Sequence, residues 1–183
     1  MALLTGAPTR WLVILLGVML PGRALAQAVE RPEYEVKSAY LVNFLLYATW
    51  PPDALAPDDA LRLCILGENP LGDFLDEATT GRSIQGHAIR VIQVDRVVEA
   101  DRCHAAFIAA RNRIPAAVWL ERLRGRAVLS IGEGEEFRRA GGMITLTVED
   151  QTVRFEVNLR ALRDVGLDLS SRVLRLARNR EGG

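Results

Sequence analysis

The residues of this chain able to do chemistry are few, and their spacing assembles no reaction. His87 and His104 are far apart and neither has a second ligand at metal spacing, so they read as ordinary strand-end histidines. Ser130 lacks the Gly-x-Ser-x-Gly elbow of a hydrolase nucleophile, and the carboxylates form no recognisable acid–base pair. The stretch "GENPLG" (67–72) has two glycines at phosphate-loop spacing, but Asp73 stands where such a loop needs lysine and would repel phosphate. "GEGEEF" (132–137) is also glycine-rich, yet Glu133, Glu135 and Glu136 make it hostile to anions and it reads as a solvated acidic turn. The reading therefore assigns no catalytic residue, no metal and no cofactor, and takes the protein not to be an enzyme.

The two cysteines, Cys64 and Cys103, matter through their compartment. "RWLVILLGVML" (10–20) places Arg10 before a short apolar run, and Ala24, Leu25 and Ala26 follow it, the pattern of a secretory signal cleaved after Ala26. The run is about half the roughly 20 residues that cross a bilayer, and no later stretch is long or apolar enough to span one. The expected product is one exported domain over residues 27–183, periplasmic, with no membrane span. Without Arg10 and Arg23 it keeps 21 basic against 23 acidic residues, a charge of −2 that gives no reason to expect a nucleic-acid partner. In an oxidising compartment an even pair of cysteines reads as a bridge, the alternative being two buried thiols acting as small apolar side chains.

The elements that must position these residues alternate. "EYEVKSAYLVNFLLYATWPP" repeats Val36, Tyr40, Phe44 and Tyr47, with Ala39 and Leu46 alongside, as an amphipathic helix ended by Pro51 and Pro52. "LRLCIL" (61–66) is a strand buried on both faces. A helix starts at Asn69–Pro70 and runs to about Ala78. "HAIRVIQV", "HAAFIAA" and "AVLSI" are further strands, with the helix "PAAVWLERL" between the last two. Strands separated by helices predict parallel βαβ units.

"AGGMITLTVEDQTVRFEVN" (140–158) breaks that pattern. With Asp150–Gln151 as the turn, Val148 faces Val153, Leu146 faces Phe155 and Ile144 faces Val157 on one apolar face. Thr147–Arg154 and Thr145–Glu156 share the other face, and a one-residue slip would reverse both. A two-residue turn and a wider four-residue loop both keep this pairing. Asn158 then caps "LRALRDV", which ends at Gly166, and Ser170 or Ser171 caps a last helix, "RVLRLA". Its arginines Arg172, Arg175 and Arg178 read as a solvated face rather than a membrane-resting one. The predicted fold class is α/β: a mixed sheet with a parallel βαβ centre, a C-terminal antiparallel hairpin and helices on both faces.

Taken in order, "NFLLYATWP" (43–51), "LCILGENPLG" (63–72), "CHAAFI" (103–108), "GGMITLTVEDQTVRFEVNLRAL" (141–162) and "GLDLSSRVLRLA" (166–177) resemble the YfiR family of periplasmic proteins. The resemblance implies a regulator that represses an inner-membrane diguanylate cyclase by binding its periplasmic sensor domain, and so controls cyclic-di-GMP and biofilm formation. It implies a homodimer, with an outer-membrane regulator as a further partner. It also matches Cys64 and Cys103 to the family's disulfide positions. Some relatives carry a second cysteine pair where this chain has Arg138 and Thr145, so the remaining bridge reads as structural. Ile144, Arg154, Glu156 and Leu162 are the expected partner contacts. For Ile144 and Leu162 the alternative is core packing, and for Arg154 and Glu156 a solvated charge pair. A second functional reading is a small-ligand sensor binding in the crevice of the α/β sheet, which rests on fold analogy.

Overall fold

The computed structural model describes residues 22–178, 180 and 181, and of 22–32, 180 and 181 the backbone alone. The apolar run that carries the export expectation lies outside the described residues. Helix α1 (Gly22–Tyr47) leads through β1 (Ala48–Thr49) to the first long strand, β2 (Leu61–Leu66). Next come α2 (Gly72–Thr79), β3 (Ser83–Ile84), β4 (His87–Val94) and a 3-10 helix at Val97–Arg102. The centre continues with β5 (Ala105–Ile108), α3 (Ala116–Leu123), β6 (Leu129–Glu133) and α4 (Gly134–Arg139). The chain closes with β7 (Ile144–Glu149), β8 (Thr152–Asn158), α5 (Leu159–Arg163), β9 (Asp168–Leu169), α6 (Ser171–Leu174) and β10 (Arg180–Glu181).

The main sheet has the order β10-β8-β7-β6-β5-β2-β4-β3. Strands β4, β2, β5, β6 and β7 are mutually parallel, while β8 is antiparallel to β7 and β3 to β4. The fold expected from the sequence is therefore the fold observed. The chain starts at β2, steps outward to β4 and returns to the other side of β2 at β5, so the order reverses between β2 and β5. Each face has its own core. Leu63, Ile65, Phe107 and Ile131 pack against Leu41, Phe44 and Leu45 of α1, Leu75 of α2 and Leu162 of α5. Cys64, Leu66 and Ile108 pack against Trp119 and Leu123 of α3 and Phe137 of α4. Two covered faces explain why β2 is apolar without a break from Leu63 to Leu66 rather than alternating.

Helix α1 corrects the expected stripe. Val36 and Leu46 are 44% and 43% exposed, whereas Lys37, Ser38, Leu41, Leu45 and Ala48 are buried with Phe44. The buried spacing is helical, but polar Lys37 and Ser38 occupy two core positions and shift the apparent apolar face by one residue. Tyr40 and Phe44 stack at 5.8 Å, and Phe44 meets Phe155 of β8 edge-on at 5.0 Å, which fastens the helix to the hairpin.

The hairpin register is as read: Val148 opposes Val153, Leu146 Phe155 and Ile144 Val157. Asp150 and Gln151 both have left-handed backbones (φ 47° and 60°), so the loop is the two-residue kind whose twist matches the strands. The glycine pair before it has a packing reason. Gly141 turns the chain with φ 90°, and a Cβ on Gly142 would lie 2.0 Å from the Phe137 ring. Gly132 faces the same ring, with its Cβ position 2.4 Å away, so the two glycines form the seat that buries Phe137 completely. Two expected caps are present: the Asn158 side chain accepts from the Ala161 N–H at 3.0 Å, and the Ser170 hydroxyl from the Arg172 N–H at 3.3 Å. The helix expected from Asn69–Pro70 starts instead at Gly72, with Asn69 Oδ1 accepting the Leu71 and Gly72 N–H groups where it begins.

Candidate functional site

The expected contact residues divide by burial. Ile144 and Leu162 are 0% and 1% exposed and belong to the core under α1 and α5, so neither offers a surface to a partner in this fold. The core alternative holds for both, and the physical reason is the strict alternation of the strand and the inward face of α5. Arg154 is exposed opposite Thr147, and Glu156 is half-buried with its carboxylate 4.0 Å from Arg138 Nε. Thr145, beside Glu156, is 3% exposed because α4 covers that end of the face. The available polar patch is thus Arg154 and Glu156, with Arg138 at its edge.

Cys64 and Cys103 are bridged, with Cα atoms 5.8 Å apart. Cys64 lies in β2 opposite Ala106 of β5, and Cys103 just precedes β5, so neighbouring parallel strands bring them together. Both cysteines sit in the core layer that also holds Trp119. Ser130 is also structural: its hydroxyl accepts from the Met143 N–H at 3.1 Å, ahead of β7.

His104 is 4% exposed and its pKa is lowered to about 4, first by burial and then by the Arg62 guanidinium. Its Nδ1 accepts from the Arg62 backbone N–H at 3.0 Å, so a neutral ring carries its proton on Nε2. That nitrogen faces Arg62 Nη2 at 2.9 Å, a donor rather than an acceptor, and burial with this guanidinium outweighs the pull of Asp59 and the Ala60 backbone toward an imidazolium. His87 lies at the start of β4 with Nδ1 2.7 Å from the Asp59 carbonyl oxygen. Among the described residues no three His, Cys, Asp or Glu side chains are grouped to hold a metal.

The group that the sequence hid lies at the carboxyl ends of β2, β5 and β6. Glu133, expected in a solvated turn, is 5% exposed and ends β6, and the residues after it form α4. Its Oε1 receives Lys37 Nζ from α1 at 2.5 Å, and its Oε2 accepts the Ala110 N–H at 2.9 Å. Lys37 is 4% exposed, bonds Glu33 as well, and lies 4.6 Å from the Tyr34 ring centre. Burial alone would lower the Lys37 pKa, but the bonds to Glu133 and Glu33 outweigh it and the pKa is raised. A lysine inside an otherwise apolar helical face was the one sequence signal for this pair.

Above the pair opens a cavity of about 980 Å³. Glu68, Asn69 and Pro70 after β2, Ala109 to Arg113 after β5, and Gly134 after β6 form its rim, with Leu146 to Val148 of β7 at one side. It stands where the strand order reverses, the position at which open α/β sheets bind ligands.

This order of strands, with a crevice at the reversal and a hairpin added at one edge, defines a doubly wound α/β protein with an antiparallel extension. The YfiR/HmsC-like family (DUF4154) matches residues 34–178, and the chain belongs to that family. The family is one of periplasmic regulators of cyclic-di-GMP signalling. Among curated proteins none matches the chain significantly. Solved structures share the fold at low identity. A conserved domain protein from Vibrio cholerae O1 biovar El Tor aligns with TM-score 0.54 and 10% identity. The ABC domain in complex with L-Trp from Streptococcus pneumoniae aligns with TM-score 0.50 and 11% identity. Each alignment covers 70% of this chain and 57% of the other, so the chain spans little more than half the length of these structures. Among the described residues, no helix is long and apolar enough to cross a membrane.

Proposed function

We propose that this protein is a periplasmic repressor of an inner-membrane diguanylate cyclase, acting by binding the cyclase's periplasmic sensor domain. The observation that carries this reading is the family match over residues 34–178. A regulator needs a rigid surface rather than a reacting group, and the hairpin supplies one. Its apolar face is locked by α1, its register is fixed by six matched pairs around a tight turn, and Arg154 and Glu156 project from the other face. Those two residues are the proposed contacts, in a protein that acts as a homodimer and is released from the cyclase by an outer-membrane regulator. Deleting the gene should raise cellular cyclic-di-GMP and biofilm, and complementation should restore both. An unchanged nucleotide level in a strain that expresses the cyclase would refute the repressor role.

A second reading, a small-ligand sensor, is favoured by one observation: the large charged crevice at the reversal of strand order. The two are compatible, since a regulator of this kind needs a signal. Compounds that bind the crevice should change cyclic-di-GMP in the wild-type strain and leave the deletion strain unaffected.

A further inference from the structure

We propose that the crevice binds a small molecule carrying one carboxylate or phosphate group on an apolar body, with the acidic group held by Arg111 and Arg113. The proposal rests on the ligand-sensor reading and adds the chemical class of the ligand and the residues that select it.

The charges of the crevice give the argument. On its floor Lys37 is already shared by Glu33 and Glu133, and Ala110 N–H is taken by Glu133, so the floor has no cation left to offer. At the rim the situation is reversed. Arg111 has no carboxylate within ion-pair distance among the described residues. Arg113 has only Glu68, 3.7 Å away, with both side chains mostly in solvent, a contact worth little. Two other arginine pairs carry their own acid: Asp101 lies between Arg122 and Arg126, and Glu135 between Arg138 and Arg139. Of the two crevice arginines Arg111 lacks such a partner and Arg113 has only the loose contact with Glu68, and a guanidinium fork matches the planar oxygens of a carboxylate or the oxygens of a phosphate.

Their backbone is also held in place. Asn112, between them, donates from Nδ2 to the Leu66 carbonyl at the end of β2 (2.5 Å) and accepts the Ile114 N–H on Oδ1 (3.2 Å). Gly67 makes room for this, since a Cβ there would lie 2.3 Å from Asn112 Oδ1. With Ala110 tied to Glu133 on one side and Asn112 tied to β2 on the other, both arginine stems leave a fixed loop. Less freedom is then lost on binding than from a mobile one.

The remaining walls select the rest of the ligand. Tyr34, Pro70 and Val148 present apolar surface, and Val148 is 45% exposed there despite its place in a strand. Two floor carboxylates against one ammonium leave a net negative charge that repels a second acidic group. The cavity has the size of a small-molecule site.

Three probes with one ring and different heads test this: benzoate, phenyl phosphate and benzylamine, titrated into the ¹⁵N-labelled exported protein and followed by amide shifts. We expect saturable shifts at Gly67, residues 109 to 113 and Gly134 with benzoate or phenyl phosphate, and the stronger of the two identifies the head group. The double variant Arg111→Ala/Arg113→Ala should weaken that response about 10-fold or more. Arg172→Ala/Arg175→Ala, on the remote C-terminal segment, should not. Shifts with benzylamine alone would overturn the acidic ligand and leave the sensor reading standing. Silence from all three at about 10 mM would overturn both. An acid response that survives the Arg111/Arg113 variant would overturn the assignment to those residues.

Discussion

At the carboxyl ends of the parallel strands, Lys37 and Glu133 meet almost out of contact with water; on the outer face of the hairpin, Arg154 stands in solvent and Glu156 only half out of it. Both regions are polar, and both lie on the same sheet. The difference is what their charges have given up. A buried pair has lost its hydration and depends on its partner, so removing one member leaves an uncompensated charge in the interior. An exposed pair keeps its water and contributes little to folding, which leaves it free to bind something else. Charge in the crevice is therefore partly structural, and charge on the hairpin is available for recognition.

Substitutions can break or sharpen this contrast. The largest effect is expected from Glu133→Ala, which leaves Lys37 with only the more exposed Glu33 and leaves the Ala110 N–H without its acceptor. Urea unfolding should show a loss of about 3–5 kcal/mol. Replacing both partners by apolar residues, Lys37→Met with Glu133→Leu, should recover much of that loss, and failure to recover would mean that the pair is not the source.

A pH titration should come next. His104 titrates at about 4 in the folded protein, below its ordinary 6.5, so the unfolded chain binds the extra proton first as pH falls. Stability from this residue is complete above pH 6.5 and drains away as pH falls toward 4, by about 2–3 kcal/mol. His104→Asn, which keeps an acceptor for the Arg62 N–H, should flatten that slope in denaturant melts repeated across the range.

Gly142→Ala should cost about 1–3 kcal/mol by driving a methyl into the Phe137 ring, measured as a fall in Tm. The smallest folding effect belongs to Arg154→Ala with Glu156→Ala, within about 0.5 kcal/mol. The same double variant should nonetheless weaken binding to the cyclase's sensor domain in a pull-down or by calorimetry. A variant that binds normally would remove these two residues from the contact surface.

The hairpin was legible because each level of its sequence agrees. Strict alternation from Ile144 to Val157 sets the register, and Asn158 and Ser170 supply side-chain oxygens where helices begin. The parallel centre was legible from apolar runs too short for helices, such as 61–66. The crevice was not, for physical reasons. Its lining comes from α1, the loops after three strands, and β7, which only the fold brings together. Glu133 sits in an acidic run that looks solvated, and its burial depends on Lys37, distant in the chain. Alternation did put Ile144 on the apolar face and Arg154 and Glu156 on the polar one, whereas nothing in the spacing of the short helix after Asn158 fixed Leu162 as core.

The bridge between Cys64 and Cys103 also has a mechanical meaning. It staples β2 to the segment entering β5, on the side of the sheet away from the crevice mouth. The two strands flanking the mouth are thus fastened twice, by the ladder that pairs Leu63 with Ala105 and Ile65 with Phe107 and by the covalent bond beside it. The loops that carry Asn69 and Asn112 therefore leave a doubly fastened frame, which sets the spacing of the crevice walls at their roots.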